Sequence, residues 1–319
     1  MAVYFSDNGY IVCEADGTAK MLYSILNILR FSFKNENPKK ISSFYSKNEK
    51  LKSVAQSSNF LIYSTFDKKL FFVDFRKNKI ELKVSKNVES IKIINSGIEK
   101  AIIFDSVGDV YKICENGQNG VETKFCFGSI SPITSISVSP DKKWFAAADK
   151  TSRIRISRLD SIQKIESFCF GHQLSPTQLL FCGDLLVSGG RDNFLIVWDY
   201  KKGKLLFKID FDLIKIDYFE KIKFETNIDT DLIKEETFKK LKSDKIGIKT
   251  VKNFGNKIAV LCYKNLEQIA ILRIELEEIK VQKIIKFGKI ANFEFENANF
   301  LTVFAERGKA VPEAIKINI

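Results

Sequence analysis

His172 is the only histidine in this 319-residue chain, and it lies among the side chains best suited to chemistry. Gly171 precedes it, Ser188 and Asp192 follow, and Trp198-Asp199 closes the same stretch, Ile165 to Lys208. A lone imidazole invites a catalytic or a metal-binding reading. A structural reading competes with both. A buried indole N–H, hydroxyl, imidazole and carboxylate each cost free energy unless paired, so linking them would satisfy all four. Elsewhere no catalytic constellation stands out. No Gly-x-Gly-x-x-Gly follows a strand-like run, so no dinucleotide or methyl-donor loop is evident, and no phosphate-cradling loop ends in Gly-Lys-Ser/Thr. The six cysteines, at 13, 114, 126, 169, 182 and 262, form no Cys-x-x-Cys pair. With one histidine they match no four-ligand zinc spacing, and they read as small buried hydrophobes in a reducing compartment. The adjacent carboxylates Glu235 and Glu236 sit in a run of mixed charge, where solvation explains them better than acid–base work.

The elements that would position these residues are strands. Asp184 to Ser188, Phe194 to Trp198 and Leu205 to Ile209 are short apolar runs separated by turns at Gly189 to Asn193 and Tyr200 to Lys204. That is the pattern of an antiparallel meander. Upstream, Ile133 to Val138, Trp144 to Ala148 and Arg153 to Arg158 repeat it across Ser139-Pro140-Asp141-Lys142 and Asp149-Lys150-Thr151-Ser152 turns. In the last of these runs Ile154 and Ile156 face the core, and Arg153 and Arg155 face out. Aligning the third strand of each unit places Leu70, Val110, Ile154 and Leu195 in equivalent positions, at steps of 40, 44 and 41 residues.

The Gly-His opening, the Trp-Asp close and this period of roughly 40–45 residues resemble WD repeats, the four-stranded blades of a β-propeller. The expected fold is therefore all-β, a WD-repeat β-propeller of seven blades forming one domain over residues 1–319, with the N-terminal strand completing the last sheet. The resemblance implies a structural relay. His172 belongs to the incoming loop, Ser188 to the second strand, Asp192 to the tight turn and Trp198 to the third strand. Residues 212–245 break the pattern with both signs of charge and no glycine. Asp231 to Ser243 reads as a helix with acids early and lysines late, which suits the helix dipole, so this segment is expected to be an insertion.

Composition bounds the function. Hydrophobic residues make up 45% of the chain and the formal net charge is +12, from 51 Lys+Arg against 39 Asp+Glu. The charge favours an anionic partner such as nucleic acid, although lysine spread along the whole chain equally fits coding bias. Apolar runs such as Ile258 to Tyr263 are too short to span a bilayer. The opening residues lack a basic segment followed by an apolar one, so no signal peptide is expected.

A closer resemblance rests on two motifs. Ala147 to Ser157 reads AADKTSRIRIS and Ile165 to His172 reads IESFCFGH. Together they look like the non-catalytic WD-repeat subunit of tRNA (guanine-N7-)-methyltransferase, whose members carry Ala-Asp-Arg-Asp-Glu-Lys-Ile-Arg-Val-Ser before Ile-Glu-Ser-Phe-Cys-Leu-Gly-His. The match runs from Ser139 to Gly203. It implies a scaffold that binds and stabilises a Rossmann-fold catalytic subunit as a heterodimer, reaches tRNA through that complex, and holds no cofactor itself. S-adenosylmethionine belongs to the partner. The resemblance also implies no catalysis by this chain, a nuclear location with or without a cytoplasmic pool, and a partner surface at Arg153, Arg155 and neighbouring Lys150. Lys150, Thr151 and Ser152 replace the family's Arg, Asp and Glu, and Gln173 to Pro176 replace Thr-x-Phe-Val. An alternative is a generic WD-repeat adaptor, for example in ribosome assembly.

Overall fold

The computed structural model describes residues 2–6, 9–13, 19–20, 51–57, 59–74, 79–117, 120–211, 247–262, 265–274, 279–286, 290–305 and 313–319. The expected insertion at 212–245 and the expected loop at Phe33 to Ser46 lie outside these residues. The described chain is all strand, grouped into seven antiparallel sheets in which neighbours in sequence are neighbours in space. It divides into two compact units, Met1–Ile133 and Thr134–Ile319.

In the first unit, β1 (Ala2–Ser6), β2 (Gly9–Cys13) and β3 (Ala19–Lys20) make one sheet. β4 (Leu51–Gln56) to β7 (Lys79–Leu82) make a second, and β8 (Val88–Ser96) to β11 (Gly120–Gly128) a third. The N-terminal strand was expected in the last sheet. Instead β1 pairs with β2 over five registered residues, since strands this close in sequence meet at little entropic cost of closure. Between the second and third sheets lies one apolar layer, containing Ile62, Leu70, Phe72, Ile91, Ile103 and Ile113.

In the second unit, β12 (Ile133–Val138), β13 (Trp144–Asp149), β14 (Arg153–Arg158) and β15 (Ser167–Phe170) make a four-stranded sheet. The next runs β16 (Pro176–Cys182), β17 (Leu185–Gly190), β18 (Phe194–Asp199) and β19 (Lys204–Asp210). β20 (Ile248–Phe254) to β23 (Ile279–Lys286) and β24 (Ile290–Asn297) to β26 (Glu313–Asn318) complete the unit. Ile154, Ile156 and Cys169 pack against Leu179, Leu186, Ile196 and Trp198 of the following sheet. Its other face carries Val187, Leu195 and Val197 against Ile248, Val251 and Val260. First strands are tied in sequence: Thr134 Oγ1 donates to the Pro176 carbonyl, Thr177 Oγ1 to the Ile248 carbonyl at 3.2 Å, and Lys249 Nζ to the Ile290 carbonyl at 3.2 Å.

The repeat read from the sequence is a structural register. Leu70, Val110, Ile154 and Leu195 all have zero exposure. Each lies five residues after the last position before a turn (Thr65, Asp105, Asp149, Gly190), and each turn ends in a positive φ, at Lys68 (61°), Gly108 (104°), Ser152 (67°) and Asn193 (63°). The residue before the turn caps it in three sheets. Thr65 Oγ1 accepts from Lys69 N, and Asp105 Oδ1 from the backbone N–H groups of Val107, Gly108 and Asp109. Asp149 Oδ1 accepts from those of Thr151 and Arg153. Short polar side chains suit such positions because they supply acceptors that the turn's backbone would otherwise lack.

Candidate functional site

Two clusters were singled out by sequence, and both lie in the second unit. The first is built in the β16–β19 sheet. Here glycine stands where the other turns carry a capping side chain. A Cβ on Gly190 would collide with an Asp192 oxygen and lie 2.6 Å from His172 Nδ1. The missing side chain opens the slot that the imidazole and the turn carboxylate fill. Gly171 serves the same end, since a Cβ there would lie 2.8 Å from the Trp198 ring.

Within that slot the four residues form a continuous chain. Trp198 Nε1–H donates to Ser188 Oγ at 2.8 Å, Ser188 Oγ lies 2.7 Å from His172 Nε2, and His172 Nδ1 lies 3.0 and 3.1 Å from the Asp192 oxygens. The carboxylate can only accept, so Nδ1 carries the proton. A neutral imidazole then leaves Nε2 to accept from the serine O–H. Asp192 also accepts from the backbone N–H groups of Gln173 at 2.7 Å, Leu174 at 3.3 Å and Phe194 at 3.2 Å. It thereby ties the incoming loop to the β17–β18 turn.

Serine, histidine and aspartate at these distances have the makeup of a nucleophilic triad. The surroundings exclude that use. Ser188 and Trp198 have zero exposure, and the indole N–H points at the oxygen that would have to attack. The arrangement holds a loop and a turn together.

The second cluster is in the β12–β15 sheet. Arg153 Nε and Nη2 both lie 3.1 Å from Asp149 Oδ2, so the guanidinium is held by the residue that caps its own turn. Arg155 departs from the expectation of an exposed strand arginine. Its Nη2 donates to the Ile162 and Gln163 carbonyls at 2.7 and 2.6 Å, and its Nε to Ser157 Oγ at 3.1 Å. Burial lowers its pKa from the usual guanidinium value. Strand alternation does direct Arg155 away from the buried Ile154 and Ile156, but the segment after β14 folds back over it, anchored by buried Leu159 and Ile162. Lys150 is exposed at the turn.

Sequence reasoning missed the aromatic neighbours. β15 pairs with β14 so that Phe170 stands opposite Arg153 and Phe168 opposite Arg155. Phe170 is 63% exposed and Ile165, on the preceding segment, 49% exposed. The signal available was the Phe168-Cys169-Phe170 alternation around a buried cysteine. Among the described residues no group of three or more His, Cys, Asp or Glu side chains could hold a metal ion. Among these residues no helix is long and apolar enough to cross a membrane.

Comparison with known proteins covers both clusters. A family model described as the tRNA methyltransferase TRM82 WD40 domain matches residues 112–303. A Dictyostelium discoideum protein named tRNA (guanine-N(7)-)-methyltransferase non-catalytic subunit wdr4 is 31% identical over 174 residues, covering 48% of this chain and 37% of that protein. The human WDR4 counterpart is 33% identical over 115 residues, 34% of this chain and 27% of its own length. TRM82 of Lodderomyces elongisporus is 30% identical over 162 residues, 47% and 42% respectively. These matches thus span between about a quarter and two fifths of each relative. A computationally designed protein, Ika8, superposes with a TM-score of 0.64 over 100% of this chain and 83% of its own at 14% identity, a likeness of fold alone. With a family model matching well over half its length, this all-β chain belongs to the family of the tRNA methyltransferase TRM82 WD40 domain.

Proposed function

We propose that this chain is the non-catalytic scaffold subunit of a tRNA (guanine-N7-)-methyltransferase. It binds and stabilises a separate Rossmann-fold catalytic subunit as a heterodimer. That partner uses S-adenosylmethionine to form N7-methylguanosine in tRNA. The observation that carries this reading is the family match over residues 112–303, which spans the sheet bearing Arg153 and Arg155 and the relay sheet beside it. The relatives' printed names describe non-catalytic subunits, and the triad-like residues here are buried in a structural relay.

The partner surface is assigned to the outer part of the β12–β15 sheet. Lys150 and Arg153 supply charge at the turn, Phe170 and Ile165 supply exposed apolar area, and Arg155 holds the 159–166 segment in place. Aromatic residues and arginine are enriched where interfaces carry their energy. A catalytic subunit of this kind would present carboxylates to Lys150 and Arg153 at the turn. The net charge of +12 suits a complex that handles tRNA. The complex is assigned to the nucleus, with or without a cytoplasmic pool.

The test is co-purification from the native cell with identification of what accompanies the tagged chain. A methyltransferase recovered in stoichiometric amount is the expected outcome. Methyl transfer from labelled S-adenosylmethionine to tRNA should need both proteins. Turnover by this chain alone, or recovery of ribosome-assembly factors in place of a methyltransferase, would overturn the proposal.

A further inference from the structure

The turn between β9 (Glu99–Asp105) and β10 (Asp109–Asn116), in the first unit, has the register of the β13–β14 turn and the opposite charge logic. Asp105 and Asp149 hold the same position, and both spend Oδ1 on capping backbone N–H groups. In the β13–β14 turn the residue four later is Arg153, and its guanidinium neutralises Asp149 Oδ2 at 3.1 Å. In the β9–β10 turn the residue four later is Asp109. A second carboxylate therefore replaces the cation.

The consequence is visible in the first unit. Asp105 is 3% exposed. Its Oδ2 is buried without a hydrogen-bond partner, and so is Asn87 Oδ1. The two residues are neighbours, because Ser106 N donates to the Asn87 carbonyl at 2.9 Å. Asp109 adjoins this cap: its backbone N–H donates to Asp105 Oδ1 at 3.0 Å, and its own carboxylate lies against Gly128, where an added Cβ would stand 2.7 Å from Asp109 Oδ1. A buried carboxylate oxygen and a buried amide oxygen with no donor, beside a second acid, form an arrangement that stays costly until something positive fills it.

We propose that Asn87 Oδ1, Asp105 Oδ2 and the Asp109 carboxylate bind a hard divalent cation, which takes the place that the Arg153 guanidinium holds in the other turn. Oxygen donors with two negative charges suit calcium or magnesium, and the irregular geometry of a loop suits calcium better, since magnesium demands near-ideal octahedral coordination. Soft, thiolate-seeking metals are excluded by the donor set. The cation would lock the β9–β10 turn to the strand entering at Val88 and stabilise the sheet.

The experiment is thermal melting of the whole chain in chelator-treated buffer, with calcium or magnesium chloride added at constant ionic strength. Wild type should show a saturable upward shift of several degrees. Asp109→Arg rebuilds the internal pairing, so it should melt higher than wild type in chelator and gain nothing from either cation. Asn87→Ala, which leaves the capping carboxylate in place, should weaken the response at least several-fold. A wild type indifferent to both cations would overturn the site. So would a response that survives unchanged in Asp109→Arg and in Asn87→Ala, because the ion would then be bound elsewhere.

Discussion

Replacing His172 with alanine tests the relay most directly. The side chain has zero exposure and bonds at both ring nitrogens. Truncation removes the donor to Asp192 and the acceptor for the Ser188 hydroxyl, and leaves a hole the size of an imidazole. Losing a hydrogen bond to a charged group costs about 1.5–3 kcal/mol, and cavity formation adds to that. Ser188 keeps its indole donor, and Asp192 keeps three backbone donors, so the remaining groups are partly satisfied. The expected loss is about 2–4 kcal/mol, which for a chain of this size lowers the melting temperature by roughly 3–6 °C. Asp192→Ala should cost more, since it strands the imidazole and also the Gln173, Leu174 and Phe194 N–H groups. The two variants should be non-additive, because they break one network. The assay is chemical and thermal denaturation of wild type, both single variants and the double. A His172→Ala protein melting within a degree of wild type would refute the relay as a stabilising device. A double variant whose loss equals the sum of the singles would refute the shared network.

Three further outcomes follow from the same geometry. Gly190→Ala should destabilise by about 1–3 kcal/mol, although nothing on the protein surface changes, because the new Cβ meets His172 Nδ1 at 2.6 Å; denaturant midpoints read this directly, and an unshifted midpoint would mean that the slot is not tight. Arg155→Glu should abolish recovery of the catalytic subunit and also lower the chain's own melting temperature, since the Ile162 and Gln163 carbonyls lose their donor; Arg155→Lys should restore part of the stability, and hydrogen exchange over residues 159–166 should separate loss of the segment from loss of the contact. Burial pushes the Cys169 thiol up to about 12 from the ordinary 9.0, so the unfolded chain releases this proton earlier than the folded one. That contribution to stability is intact below about pH 9 and declines toward pH 12, with a slope of up to about 1.4 kcal/mol per pH unit. A Cys169→Ala variant whose stability has the same alkaline slope as wild type would show that the thiol is not the group responsible.

The sequence alone carried the parts of this protein that depend on local pattern. Alternation within short runs, turn chemistry and a recurring interval placed Leu70, Val110, Ile154 and Leu195 in one register, and all four are fully buried. The residue types of the relay were also legible, because a single histidine with serine, aspartate and tryptophan at blade spacing has few ways to be satisfied when buried. Other features waited for the tertiary structure. Alternation fixes the side of a strand on which Arg155 leaves, but its exposure is set by a later segment folding back over that side, and no periodicity reports such a return. The N-terminal strand was assigned to the last sheet by the closure habit of the fold, whereas the described pairing is decided by the nearest complementary hairpin. The meaning of Asp109 was likewise invisible. Two aspartates four apart look like ordinary surface charge until the shared register shows that they occupy the positions of Asp149 and Arg153 in the equivalent turn. One turn then proves internally neutralised, while the other buries a carboxylate oxygen with no donor. Sequence determines which groups are present and the side on which they leave the backbone, and only the packing of distant segments decides which of them meet water, a partner or each other.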